Sequence, residues 1–473
     1  MPVDEESFSN NNNTQVKEQL LSADAIDVGS PPVRSRHKPD HNNNGIRNTL
    51  LLGAGFFFTF TAWHSAQNLQ SSLQMPQGVN GTTALTIVYS LLPIGFALGH
   101  TVVRCAGKKR TVVISMAMYG TFIVANIHPR WWSIYPGAVM VGLACGPMFV
   151  SQNTLLTEYA LNYAVRRGEE KTSRVGMFQG IFQGFFMLTQ AVGNIFYSLL
   201  FRSQQGADGG GTPSHATIVF LFAIYTGGCV VVGIFIIGGG VEEEQLDTEA
   251  QPVANRDKTE GWLSALALVG DAKMWSLLPY LLSSGLIWAF VIDDFTARVV
   301  KPRLGEDNLG FVMALNGASS VGANLLCSRY GDARGAVSRA GIFVLGCVVN
   351  AGVTLFLYLG EASLGGEWLG ISLISIAMGC STAASTTMLN AHISAYWIGE
   401  TDAAFGCAQT FLGAAQAIGF FLAGSLPMHT VLLFAAPAQI AGGVGFLYST
   451  AQCRAEQAAR AGIGRALSIA HTS

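Results

Sequence analysis

The chain has 473 residues, of which 50% are hydrophobic and 12% are charged, and its mean hydropathy is +0.38. Soluble domains contain about 25% charged residues, so this composition indicates a protein that crosses a membrane several times. The net charge of −2 gives no sign of nucleic-acid binding. We find no phosphate-binding loop, zinc-protease motif or nucleophile elbow, and no CxxC spacing among the eight cysteines. We therefore expect neither an enzyme nor a bound cofactor or metal.

Apolar runs long enough to cross a bilayer, about 20 residues each, define the predicted architecture. A polar tail at 1–45 is predicted to be disordered, a charged linker at 241–272 separates bundles at 46–240 and 273–450, and a partly basic tail covers 451–473. The twelve predicted helices cover 46–68, 82–103, 111–127, 131–153, 174–201, 215–239, 273–293, 308–328, 337–360, 368–390, 403–425 and 429–450. The predicted fold is all-α, with twelve transmembrane helices in two six-helix bundles.

The basic residues predict the orientation of these helices. Of the 27 Lys and Arg residues, 22 fall on the side of the membrane that holds both termini. Positive charge accumulates on cytosolic loops, so we expect both termini to be cytosolic. Asn80-Gly81-Thr82 is a glycosylation sequon in the first predicted outer loop, which agrees with this orientation. The sequence leaves open whether the membrane is the plasma membrane or an endomembrane.

Two features recur at matching places in the two halves. A tryptophan stands five residues before a polar residue at the outer end of helices 1 and 7, and an arginine followed by a glycine ends helices 2 and 8. These pairs are Trp63 with Asn68, Trp288 with Asp293, Arg104 with Gly107, and Arg329 with Gly331. The repetition indicates a parallel duplication of a six-helix unit.

Twelve helices in two sixes, with a basic loop after helix 2, resemble the major facilitator superfamily. The Asp-Arg pair usual in that family appears here as Val103-Arg104 and, in the second half, as Ser328-Arg329. In the family this carboxylate helps to latch the cytosolic side. Its loss argues against ordinary transporter gating.

A more specific resemblance extends over nearly all of residues 46–450. The string Ala66-Gln67-Asn68-Leu69-Gln70-Ser71-Ser72-Leu73 resembles the first helix of the uncoordinated-93 family, and Trp131-Trp132-Ser133-Ile134-Tyr135-Pro136 and Leu389-Asn390-Ala391 continue the resemblance. Thr382 departs from it, because members often carry an acid there. The resemblance implies regulation of potassium channels or the escort of Toll-like receptors, whereas other members are presumed transporters.

Amide side chains leave two interpretations open. On helix 5 they recur on one face, and helix 11 carries a related pair. They either line a central cavity for a neutral solute or a weakly hydrated cation, or they join helices by hydrogen bonds of roughly 0.6–2 kcal/mol each. The candidate cavity residues are His64, Gln67, Asn68, Gln152, Gln179, Gln183, Gln190, Asn194, Asp293, Asp294, Asn390, Gln409 and Gln416.

The carboxylates argue against a proton-driven carrier, because none falls in the middle of a predicted helix. Glu158 and Asp402 are interpreted as solvated helix ends. Asp293 and Asp294 either gather cations in an outer vestibule or cap helix 7, and His64 is either a pH sensor or a helix-interface residue. We expect a regulatory or trafficking partner of another membrane protein, such as a potassium channel or a receptor. The alternative is a transporter of a small solute or ion.

Overall fold

The structure of this protein is a computed structural model, and helices account for almost all of the residues that it describes. These are residues 44–72, 81–204, 220, 222–243, 268, 270–305, 308–360, 368–423 and 427–472. Most of the predicted tail at 1–45 and of the linker at 241–272 lies outside these residues, as does Asn80.

The described residues form twelve helices, which we number in chain order. The first six are α1 Asn44–Ser72, α2 Gly81–Ala106, α3 Lys108–Ala125, α4 Trp131–Arg166, α5 Val175–Gln204 and α6 Ile224–Gly240. The last six are α7 Ala272–Leu304, α8 Leu309–Tyr330, α9 Ala336–Gly360, α10 Trp368–Tyr396, α11 Thr401–Ala423 and α12 Met428–Thr472. Within the described chain, eight of them are long and apolar enough to cross a membrane: α2, α4, and α7 to α12.

Several helices continue beyond the ends predicted from hydropathy. α4 ends at Arg166 rather than at 153, α7 at Leu304 rather than at 293, and α10 at Tyr396 rather than at 390. The predicted tail at 451–473 is helical as far as Thr472. Apolar runs mark only the part of a helix that faces lipid, whereas the backbone hydrogen bonds of an α-helix continue through polar residues as well.

Aromatic rings hold α1 at the centre of the first half. The ring of Phe60 lies 5.3 Å from that of Tyr119, 5.6 Å from that of Phe149 and 5.0 Å from that of Phe186. These partners belong to α3, α4 and α5, and the distances are typical of aromatic pairs. The contacts fix the rotation of α1, and they place His64, one turn further along, against α5.

The two halves meet along two helix pairs. α5 packs against α8, and α2 packs against α11. Because α8 and α11 occupy the same places in the second half as α2 and α5 in the first, the two pairs are related by the repeat. The polar candidates on α5 therefore lie at the boundary between the halves.

Candidate functional site: an amide-rich interface between two halves

His64 links α1 to α5 through a neutral hydrogen-bond network. Its Nδ1 lies 3.0 Å from Oγ1 of Thr189, and its Nε2 lies 3.1 Å from Nε2 of Gln190. An amide nitrogen only donates, so Nε2 of His64 accepts and Nδ1 carries the proton. Asn194 Nδ2 donates to the carbonyl oxygen of Gln190 at 2.7 Å. Three of the candidate cavity residues thus bond to one another and to the helix backbone.

A second amide cluster lies nearer the predicted cytosolic side. Gln179 Nε2 donates to Ser394 Oγ at 3.3 Å, and Thr157 Oγ1 lies 2.8 Å from the same oxygen, so α4 and α5 of the first half meet α10 of the second. Gln152 Nε2 donates to Asn153 Oδ1 at 3.4 Å. The Oε1 atoms of Gln152 and Gln179 are buried without a hydrogen-bond partner. Amide acceptors therefore remain unused at this boundary.

An enclosed cavity of about 40 Å³ separates α5 from α7, α8 and α10. Asn324, which lines it, accepts a hydrogen bond from Thr387 at 2.5 Å through Oδ1, but its Nδ2 is buried without a partner. The space suffices for a very few water molecules, since one needs at least about 10–15 Å³. The polar lining is uncharged and consists of Gln183, Trp288, Asn316, Ser320, Asn324, Thr382 and Thr386.

Aromatic contacts join the halves on the predicted outer side of this cavity. Gln67 Nε2 donates to the hydroxyl oxygen of Tyr89 at 2.8 Å, and the Trp288 side chain lies beside the same hydroxyl group. The ring of Tyr89 stacks on that of Phe420 with 4.1 Å between centroids. α2 of one half therefore contacts α7 and α11 of the other, and Gln67 of α1 supports Tyr89 in this contact.

Two polar contacts join the halves on the predicted cytosolic side, and we name each after its helix pair. In the α2–α11 junction, Asp402 Oδ2 accepts from Arg104 Nε at 3.1 Å and lies 2.8 Å from Nδ1 of His100. Asp402 lies in the first turn of α11, whereas both of its partners lie near the end of α2. An acid in the first turn of a helix also interacts favourably with the helix dipole.

In the α5–α8 junction, Asp332 Oδ2 accepts from the backbone N–H of Met177 at 3.0 Å, at the start of α5. Asp332 Oδ1 accepts from Arg339 at 3.0 Å, and the same nitrogen of Arg339 lies 3.2 Å from the carbonyl oxygen of Thr172. Burial raises the pKa of the Asp332 carboxyl group, and the nearby Arg339 guanidinium acts in the opposite direction. The junction thus holds an anion at a helix N-terminus supplied by the other half.

A larger space of about 520 Å³ lies beside the α2–α11 junction, and we call it the junction cavity. Gly107, which has a φ of 85° between α2 and α3, is part of its wall. Its other lining residues are Val103, Arg104, Lys108, Thr154, Thr157, Glu158, Leu161, Glu243, Ile398, Gly399, Thr401 and Asp402.

The remaining candidates are dispersed. Asp293 and Asp294 lie within the π-helical part of α7, Val291–Val300, rather than at a helix end. Asp294 is only 2% exposed, and its Oδ1 lies 2.9 Å from Nε of Arg298. Buried and paired, it does not face an open vestibule.

On α11, Gln409 and Gln416 are half-buried and line neither cavity, and Asn390 is buried in α10. Asn68 belongs to α1. Arg329 is exposed, and Gly331 lies in the turn after α8.

Sequence reasoning missed the contacts of Asp332 and Arg339. The available signal was an acid directly after Gly331, followed seven residues later by an arginine inside an apolar helix. The sequence also predicted that Asp402 is a solvated helix end. In the structure, the Asp402 side chain is 14% exposed and contacts two basic residues of the other half.

The fold is that of a known class. The profile of the Major Facilitator Superfamily matches residues 48–420, and the chain belongs to that superfamily. Among solved structures, the transporter FucP in its outward conformation aligns with a TM-score of 0.62 at 13% identity, over 86% of this chain and 99% of that one. The proton:xylose symporter XylE aligns at 0.60 and 13%, over 86% and 94%. These results confirm the predicted all-α fold with twelve helices.

Within the superfamily, the resemblance to the uncoordinated-93 family is also confirmed. UNC93-like protein 3 of Arabidopsis thaliana is 29% identical over 82% of each chain. Protein unc-93 homolog A of Xenopus laevis is 26% identical over 82% of this chain and 90% of its own. The Putative potassium channel regulatory protein unc-93 of Caenorhabditis elegans is 25% identical over 64% of this chain and 46% of its own.

Proposed function

We propose that this chain is a non-enzymatic membrane protein that regulates or escorts another membrane protein, such as a potassium channel. The strongest support is the use of its buried polar side chains. His64, Gln190 and Asn194 hydrogen-bond one another, and Gln179 bonds α10, so these side chains join helices. The similarity to a relative named as a potassium channel regulator supports the same proposal.

The test is chemical cross-linking in native membranes, followed by purification of the full tagged chain. We expect a potassium channel or a receptor to be enriched over a control in which a sugar symporter of the same fold is expressed at the same level. Co-expression should then change the current or the surface density of that partner. No enrichment over the symporter would overturn the proposal.

A second candidate function is the transport of a small solute or ion. The polar lining of the enclosed cavity favours it, because this lining comes from both halves and Asn324 offers an unused donor there. A solute that binds the native state raises the free energy of unfolding by RT ln(1+[L]/Kd), about 2.7 kcal/mol at a hundredfold excess over Kd.

The transport candidate is tested by a thermal-shift screen against potassium, sodium, protons and neutral metabolites. We expect a specific shift to disappear in Gln183→Leu and to persist in Gln439→Leu, a buried amide on α12 that does not line the cavity. A shift that survives both changes would mean that binding occurs elsewhere. No shift with any compound would remove the support for transport.

We further propose that both termini face the cytosol and that Asn80 is glycosylated on the other side, following the distribution of Lys and Arg. Glycosidase treatment should increase the gel mobility of the wild-type chain and leave Asn80→Gln unchanged. Glycosylation of a sequon engineered after Arg167, between α4 and α5, would contradict this orientation.

A further inference from the structure

The junction cavity has the dimensions of a small-molecule site. Its volume of about 520 Å³ falls within the range of roughly 300–1,000 Å³ that is typical of ligand pockets. Its walls come from α2, α3 and α4 of the first half and from the segment Ile398–Asp402 of the second. A molecule bound there contacts both halves at once.

The charges around this cavity do not balance. Arg104 pairs with Asp402, and Lys108 pairs with Glu158. The third acid, Glu243, accepts a hydrogen bond from the backbone N–H of Lys109 at 2.5 Å, and this donor is neutral. The lining therefore carries one more negative charge than positive charge, and a charge excess in a walled cleft attracts ions of opposite sign.

The hydrogen-bonding groups of the lining favour a donor as ligand. Thr154 and Thr401 each donate their hydroxyl proton to the carbonyl oxygen four residues earlier, at 2.9 Å, which leaves oxygen lone pairs unused. Glu158 Oε2 is buried and has no hydrogen-bond partner. Glu243 and Glu158 line the same cavity. An ammonium group would supply the missing donors and the missing charge.

Apolar side chains complete the wall and suit a hydrocarbon chain. We propose that the junction cavity binds an aliphatic amine, with its ammonium group at Glu158 and Glu243 and its methylene groups against Val103, Leu161 and Ile398. Binding stabilises the contact between the halves, because the bound amine contacts residues of both. This site is separate from the enclosed cavity at Asn324, and it does not depend on the identity of a protein partner.

The test measures thermal unfolding of the full chain in lipid nanodiscs, titrated with 1,4-diaminobutane. We expect a saturable rise in the unfolding temperature. No such rise is expected with 1,4-butanediol, which has the same carbon chain without charge, or with sodium chloride at equal ionic strength. A rise of the same size with either control, or no rise with the diamine, would overturn the proposal.

Variants locate the site. Glu158→Gln should abolish the response, and Glu243→Gln should weaken the apparent affinity about tenfold, which is typical for the loss of one charge-assisted contact. Glu243 is exposed, so its variant decides the matter if Glu158→Gln does not fold. Glu170→Gln makes the same charge change at an exposed acid between α4 and α5, outside the cavity, and should respond like the wild type. An unchanged affinity in Glu243→Gln would rule out this site.

Discussion

The two junctions on the predicted cytosolic side occupy matching places in the repeat, yet their charges are arranged in opposite ways. After Gly331 the chain places an acid, Asp332, which reaches across to the start of α5. After Gly107 it places a base, Lys108, which pairs within its own half. The acid of the α2–α11 junction comes instead from α11, as Asp402. A helix N-terminus can thus receive its carboxylate from either half.

The junctions also differ in how tightly they pack. A Cβ atom added to Gly176 would lie 2.9 Å from Oδ1 of Asp332, so a side chain at that position of the α5–α8 junction would displace the Asp332 carboxylate. At the α2–α11 junction, Arg104 is 38% exposed and borders the junction cavity. Loss of a carboxylate should therefore cost more stability at the α5–α8 junction than at the α2–α11 junction.

The largest effect is expected from Asp332→Ala. It leaves Arg339, whose side chain is only 5% exposed, without its carboxylate, and it removes the acceptor of the Met177 N–H. Removing one partner of a buried pair typically costs about 3–5 kcal/mol, and we expect a value near the lower end. Unfolding of the purified variant measures it. Asp332→Ala/Arg339→Leu should recover part of the loss, and equal stability of both variants would contradict a coupled pair.

A smaller effect is expected from Gly107→Ala, on the other side of the comparison. Its φ of 85° and ψ of 152° lie in a region that is essentially restricted to glycine, and strain of this kind costs roughly 1–3 kcal/mol. The nearest atom to an added Cβ is Glu243 Oε1 at 3.9 Å, so the loss would come from the backbone rather than from a clash. Unfolding measurements should show about 2 kcal/mol, and a neutral substitution would mean that the turn relaxes.

A still smaller loss of stability is expected for Asp402→Asn. This change removes the negative charge that pairs with Arg104 and contacts His100. Because Arg104 can turn towards water, we expect a loss of about 1–2 kcal/mol, below that of Asp332→Ala. The two variants are compared in one unfolding series. A larger loss for Asp402→Asn than for Asp332→Ala would reverse the ranking of the junctions.

The smallest expected effect is on the pH dependence of stability, and it comes from Glu169, at the edge of the α5–α8 junction. A hydrogen bond from Arg174 lowers the pKa of the Glu169 carboxyl group. A lowered acid pKa in the folded state gives stability that is present above the unfolded pKa of about 4.3 and is lost as the pH falls through the folded value. Glu169→Gln should abolish this part of the acid dependence, worth less than about 1 kcal/mol. Unfolding between pH 7 and pH 3 measures it, and an unchanged profile would contradict the pairing.

The interior amides show why the sequence can assign polar residues to a helix face without showing their contacts. The helical period correctly placed Gln179, Gln183, Gln190 and Asn194 on α5, but it could not tell which neighbouring helix each would meet. Gln190 meets α1 and Gln179 meets α10, because a long helix at a boundary has different neighbours along its length. Only Gln183 lines the enclosed cavity.

The sequence alone determined that the chain is a twelve-helix membrane protein of the major facilitator class, because apolar runs of bilayer length and repeated loop marks are local properties of the chain. Only the tertiary structure decided which acids join the two halves on the predicted cytosolic side. Asp402 and Asp332 make these contacts with partners up to 302 residues away in the chain. Such partners have no signature at short range, because they are brought together by the packing of α2 against α11 and of α5 against α8.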